Sequence, residues 1–415
     1  DDAVSSVIQT HDGGYAFVGT THPVSGNEDI WLVKTDPSGQ VTWQRNFGTG
    51  QSWGDEGFDV KQTADGGFIV VGSCSQGEAH PGYVDSRLCL LRADAEGNLV
   101  WSKNYGTMLY DGEIVPVWYS KGYSVVVADD GGFVAAGVAQ SLGGYDGWLI
   151  KTDSNGEKVW DAEQGAWTVG WESIFRGFVS YDEPVSVDKT TDGGYIVALH
   201  NGNPADVWLI KTDGSGLPQW DRTFDHESCG DFPHSVTQTS DGRYLIAAEL
   251  QSCASGIIGW LIRTDATGVK DWELVTAPPD LISTAQQTTD GGIIVFVFRY
   301  DPYGFHTLLL NKLDIEGNEV WQKLVDQVIG PNDGLQTADG GFLVAGSFNN
   351  SHGLTTRLVK LGPETTPGPP VGGIAELPDA SDSSGRNYVA LAALAAAVLL
   401  ALTAGAWHAR RRWLG

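Results

Sequence analysis

The sequence predicts an all-β fold: a seven-bladed β-propeller of four-stranded antiparallel blades over residues 1–361, followed by a disordered tether and one transmembrane helix. Three observations carry this expectation. Asp-Gly turns stand at Asp12, Asp65, Asp130, Asp192, Asp241, Asp290 and Asp339, at steps of 53, 65, 62, 49, 49 and 49 residues, so one unit is used seven times. Each unit spells short strands, and a strand-built repeat of this length closes as a propeller. From Tyr388 to Trp407 the chain runs without a charge, a length that crosses a bilayer as a helix.

The fourth unit serves as the model. A first strand ends at Thr190, the Asp192-Gly193-Gly194 turn reverses the chain, and Tyr195 to Leu199 returns. Asp-Gly and Gly-Gly suit a tight hairpin that needs positive φ. After a variable loop, a third strand runs from Val207 to Thr212, Asp213 to Gly216 turns it, and a fourth strand carries Trp220. The third strand recurs as WLVKTD, WLIKTD or WLIRTD, and its cation appears in every unit: Lys34, Arg92, Lys151, Lys211, Arg263, Lys312 and Lys360. A residue that every blade carries serves what every blade needs, so these cations are expected to pair with carboxylates of the turns or of neighbouring blades.

The pattern Asp-x-x-Gly-x-x-x-Trp follows six times, ending at Trp43, Trp101, Trp160, Trp220, Trp272 and Trp321. Here the chain resembles the quinoprotein-like (PQQ-type) propeller repeat, with one residue fewer between Asp and Gly. That resemblance implies a tryptophan docked between neighbouring blades. It supplies no cofactor: no residue set for a quinone pocket is distinct in the sequence, and none is expected. The chain opens at a first strand, since Asp2 to Thr10 aligns with Asp55 to Thr63, and the seventh unit stops after Lys360 without a Trp strand. The expectation is that the missing fourth strand came from a segment ahead of Asp1, lost with any signal peptide. A three-stranded last blade is the alternative.

Residues 362–387 are rich in Pro, Gly, Ser, Asp and Glu and read as an extended extracellular linker. The transmembrane helix is placed at 388–407 and a basic cytoplasmic tail at 408–415, where Arg410, Arg411 and Arg412 orient the chain with its C-terminus inside. Tether, apolar span and arginine cluster together resemble the C-terminal sorting signals of prokaryotic surface proteins. The expected location is therefore the cell membrane, single-pass, with the N-terminal domain outside.

A formal charge of −27 argues against nucleic acid, which needs a basic face. Four cysteines fit an oxidising compartment. Cys89 takes the place of a third-strand Trp and Cys74 lies just past the preceding strand. The pairing read here is Cys74–Cys89 and Cys229–Cys253, one of three that four cysteines permit. His226, Cys229 and His234 lie close to Asp225 and Asp231, but the spacing matches no zinc pattern and no metal is expected.

Function should lie where the repeat is broken. The Asp-Gly and Asp-x-x-Gly turns share one face of the disc, and the variable connections share the other. Ten of the sixteen tryptophans are repeat positions and two lie in the tail, while Trp53, Trp118, Trp167 and Trp171 fall in connections expected on the variable face. With Tyr119 and Tyr181 they are the candidate ligand-binding residues, carried largely by insertions at 105–123 and 161–181. Exposed aromatic platforms stack on sugars or on apolar parts of a partner. The alternative is that these rings pack inward and hold two long loops together. No catalytic motif is present, since Asp-Gly-Gly alone is a turn and not a calcium loop. The expected role is a surface binding or scaffold propeller whose partner is an extracellular glycan or surface protein. A glucanase-like hydrolase and a purely structural surface-layer component are the alternatives.

Overall fold

In the computed structural model each inner strand ends in the Asp-Gly turn that the sequence marks, and the chain returns antiparallel to it. The structure describes residues 3–376, apart from 22–27, 51–53, 81–82, 111–112, 118, 142–143, 162–165, 177–182, 202–205, 227–228, 254–255, 301–305, 326–328, 351–352 and 364–373. The glycine after each turn aspartate, from Gly13 to Gly340, has φ of 79–86°, which an L side chain rarely adopts. Seven sheets of four strands follow in chain order. Blades 1 to 7 have inner strands Ala3–Gln9, Glu56–Gln62, Ser120–Val127, Glu183–Lys189, Gly230–Gln238, Asp280–Gln287 and Ile329–Gln336. Their outer strands are Val41–Phe47, Leu99–Tyr105, Trp171–Phe175, Pro218–Phe224, Lys270–Val275, Glu319–Val325 and Ile374–Glu376.

The strands read as apolar runs because both faces of a blade are covered by its neighbours. Seven hydrophobic cores result, one at each seam. At the last seam Val4, Tyr15 and Phe17 of blade 1 pack against Leu343, Ala345 and Leu358 of blade 7, so the ring closes. Every inner strand carries a β-bulge. The residue after it is Ser6, Asp59, Ser124, Ser186, Ser235, Thr284 or Asp333, a hydroxyl or a carboxylate each time. These short acceptors reach across the seams: the N–H of Val125 donates to Asp59 (2.9 Å), Val187 to Ser124 (3.3 Å), Val236 to Ser186 (3.1 Å) and Val7 to Asp333 (3.0 Å).

A second set of ties lies at the turns. The glutamine that ends most inner strands accepts an N–H from the preceding blade's turn, in the pairs Gln62–His11, Gln238–Thr191, Gln287–Ser240, Gln336–Thr289 and Gln9–Ala338, at 2.7–2.8 Å. All seven repeat cations pair with the turn aspartate of their own blade at 2.6–3.0 Å. Five of the turn aspartates also accept from a neighbouring Thr hydroxyl and the second Gly N–H, as Asp192 does from Thr190 and Gly194. Burial pushes their pKa values up, but these donors outweigh it and hold Asp12, Asp192, Asp290 and Asp339 at about 2.

The docked tryptophan is also present. Trp43, Trp101, Trp220 and Trp272 each lie on the Asp-x-x-Gly glycine of the next blade, and Trp171 lies on Gly216, so closely that an added Cβ would meet the ring at 2.2–3.1 Å. Most also meet, edge on or tilted, the aromatic after the next blade's turn, as Trp101 meets Phe133 at 5.9 Å.

Two expectations are corrected. In blade 3 the outer-strand place belongs to Trp171, which pairs with Lys151 and meets Tyr195 at 5.9 Å, and not to Trp160. Trp160 instead opens an added hairpin, Val159–Asp161 against Ala166–Val169. Both tryptophans follow a left-handed glycine, but only Trp160 has the repeat spacing, so local spacing selects the wrong one. The fourth-strand place of blade 7, expected to belong to a segment ahead of Asp1, is taken here by Ile374–Glu376, which lies downstream in the linker and pairs with Arg357 to Val359.

The Cys74–Cys89 disulfide is present, and Cys229 is disulfide-bonded as well. The side chain of Cys253 lies outside the described residues. The compact unit spans residues 1–380. The expected helix at 388–407 and the tail lie outside the described residues, among which no helix is long and apolar enough to cross a membrane.

Candidate functional site

Strand order gives the disc two unlike faces. Turns between first and second strands, and between third and fourth, share the turn face, and all other connections share the loop face. The added hairpin that holds Trp167 lies between the third and outer strands of blade 3, hence in a turn-face connection rather than a loop-face one.

Of the expected ligand residues, Trp53, Trp118 and Tyr181 lie outside the described residues. Trp167 faces Trp160 across the added hairpin. Its ring lies 5.0 Å from Lys158 Nζ, which is also 4.8 Å from the ring of Trp148. Lys158 and Glu172 form an ion pair whose side chains are only 6% and 2% exposed. Glu172 further accepts from the Trp148 indole and from Leu109 N–H in the other insertion. Burial lowers the Lys158 pKa, and Glu172 opposes that shift. The two insertions therefore meet over blade 3, with the Trp167 ring beside the ion pair that joins them. Trp171 belongs to the scaffold seam.

Tyr119 remains at the loop face. Its backbone bridges to Ser86 and its ring stands edge-on to Tyr145 at 5.4 Å. Phe58 and Tyr123, the bulge residues of adjacent inner strands, meet at 5.2 Å. Lys121 lies 5.6 Å over Phe58 and pairs with Glu56 at 2.6 Å. All six side chains are half-buried. Sequence reasoning passed over Phe58, Tyr145, Lys121 and Glu56 because they sit within strands and not in insertions. The detectable signal was an aromatic at the bulge where blades 1, 5 and 6 have Ser5, His234 and Ser283.

A second feature of the loop face lies between blades 4 and 5. Asp206 opens the third strand of blade 4, Asp225 follows its outer strand, and Asp231 begins the inner strand of blade 5. One oxygen from each lies within 4.8 Å of the others. Burial, and then the charges of Asp225 and Asp206, push Asp231 up to about 7, against a lowering hydrogen bond from His226 N–H. A raised carboxyl beside a second acid is the pattern of a glycosidase pair. However, Asp231 is 0% exposed and cannot reach a glycosidic oxygen. On the turn face a cavity of 470 Å³ is lined by Asp241, Asp290, Lys312 and Trp321, with Asp290 and Lys312 already paired.

No family model matches the chain, and no curated protein does either. Among solved structures it is similar to a protein of unknown function from Dyadobacter fermentans DSM 18053, at 14% identity, with 76% of this chain and 95% of that one covered and a TM-score of 0.49. It is similar to another of unknown function from Bacteroides caccae, at 14% identity, 74% and 93% coverage and a TM-score of 0.43. The β-propeller domain of the Trilobed protease from Pyrococcus furiosus, described as having an open velcro topology, is 10% identical over 93% and 98% of the two chains, with a TM-score of 0.46. At these values the likenesses carry no argument about function, and the seven-bladed propeller rests on the strand order itself.

Proposed function

We propose that the chain is a non-catalytic binding propeller of PQQ-like repeat type, anchored at a cell surface by its C-terminal helix, and that its loop face recognises an extracellular polysaccharide or surface protein. The observation that supports this reading is a pair of aromatic contacts in blades 2 and 3, Phe58 with Tyr123 and Tyr119 with Tyr145. Phe58, Tyr123, Tyr119 and Tyr145 are each half-buried, and none of them is a docked tryptophan that closes a seam. Rings of this kind, flanked by Lys121 and Glu56, offer stacking surface together with donors and acceptors for hydroxyls.

A glycan array probed with the full chain in detergent tests the proposal. Binding should be lost in Tyr123→Ala and Tyr145→Ala while the melting temperature is kept. The absence of any glycan or surface-protein ligand, or binding that both variants preserve, refutes it. Release of reducing sugar from a bound glycan replaces it with the hydrolase reading.

A further inference from the structure

We propose that the loop-face corner between blades 4 and 5 is a calcium site, with Asp206, Asp225 and Asp231 as its protein ligands. Their closest oxygens lie within 4.8 Å of one another, the span across an ion whose bonds to oxygen are about 2.4 Å. Asp231 Oδ2 accepts the N–H of His226 at 2.7 Å. Asp231 Oδ1 is buried with no hydrogen-bond partner, and the whole residue is 0% exposed. A buried carboxylate oxygen left without a donor is strongly unfavourable, and a cation in this corner removes that cost.

The equivalent corners of other blades act as internal controls. Between blades 1 and 2, Asp55 occupies the place of Asp231, and both of its oxygens are met by Thr49 and by Ser75 N–H. Gly48 stands there where this corner has Asp225. At the start of blade 6, Asp280 is bound by the guanidinium of Arg299 through two nitrogens at 2.7 and 2.9 Å. In blade 3, Asp146 is paired with Arg176, which takes the place of Asp225. Those acids have a protein donor or cation. At the blade 4–5 corner the acids are three, and among the described residues none has a Lys or Arg partner.

The donor set selects the ion. Three carboxylates are hard oxygen ligands, and Cys229, the sulfur nearest in sequence, is held in a disulfide, which disfavours zinc. The ligands hang from three fixed strand ends, and calcium accepts six to eight oxygens in loose geometry, whereas magnesium demands a near-ideal octahedron. Bound there, the ion joins the outer edge of blade 4 to the first strand of blade 5.

The test is calorimetric titration of CaCl2 into the full-chain protein at ~0.15 M salt, which screens diffuse adsorption to the acidic surface. The expected result is one saturable site with a Kd of about 10⁻⁴–10⁻³ M and a melting temperature that rises with calcium. Asp225→Asn, at an exposed position, and Asp206→Asn should each weaken binding at least tenfold and abolish most of the thermal shift. No saturable heat up to ~10 mM, well above that Kd range, overturns the proposal. So does binding of unchanged affinity in both variants, which places the ion elsewhere on the surface.

Discussion

Replacing Trp171 with Ala tests the blade 3 assignment directly, because the sequence spacing points to Trp160 and the structure points to Trp171. The Trp171 ring lies on Gly216, meets Tyr195 at 5.9 Å and belongs to the core between blades 3 and 4. Truncating a docked tryptophan costs about 3–5 kcal/mol when it is fully buried. Trp171 is half-buried, so the lower end applies. With an unfolding entropy of about 2.1 cal/mol/K per residue, the unit of residues 1–380 loses about 0.8 kcal/mol of stability per degree near its midpoint. A loss of ~3 kcal/mol therefore lowers the midpoint by about 4 °C. Trp167→Ala removes a ring from a hairpin outside the blade and should shift the midpoint by about 1 °C or less. Calorimetry and urea denaturation of the two variants measure this. Equal shifts, or a larger shift for Trp167→Ala, refute the reasoning and return the outer-strand place to the segment around Trp160.

Three further outcomes follow from the geometry. Asp192→Ala leaves the amine of Lys211, 4% exposed, without its counter-charge; it should cost about 2 kcal/mol in urea denaturation, and adding Lys211→Met should recover part of that. The turn aspartates have folded pKa values below their unfolded ones, so their stabilisation is complete above about pH 4 and is lost as pH falls toward about 2; a melting series from pH 5 to 2 should fall steeply. Asp333 behaves in the opposite way. Burial raises it to about 6, against the lowering effects of Val7 N–H and Lys61, so its contribution to stability is fully present below about pH 4 and is lost as pH rises through about 6; Asp333→Asn should flatten the stability profile between about pH 4 and 6 by up to about 3 kcal/mol.

The scaffold is legible in the sequence because its constraints are local. A turn glycine with φ near 80°, a cation one strand away and a tryptophan after the next turn recur in fixed order, and each recurrence proves to be one contact repeated. Cys89 in a tryptophan place reads correctly for the same reason, since its neighbour across the sheet is fixed by the hairpin. The added hairpin of blade 3 escapes that logic. Gly156 and Gly170 both precede a tryptophan, the repeat spacing favours Trp160, and only the packing of Trp171 on Gly216 overrides it. The outer strand of blade 7 carries no tryptophan and lies in a Pro- and Gly-rich stretch, so nothing local marks it. The acid corner is hidden differently. Asp206 matches Asp29 and Asp146 in the repeat, and its partners Asp225 and Asp231 look like surface loop residues until three strand ends converge.

The glutamine tie at the turn face is absent on both sides of blade 3, where Val127 and Lys189 stand in its place and Lys189 pairs with Asp129 instead. Both insertions gather at that same blade. Five seams are fastened by an identical side-chain clasp, and two are fastened by contacts particular to this chain. The ring thus divides into a long interchangeable arc and one bespoke segment. Whole-blade exchange among homologous repeats should be tolerated in the arc, while blade 3 must travel with its own neighbours.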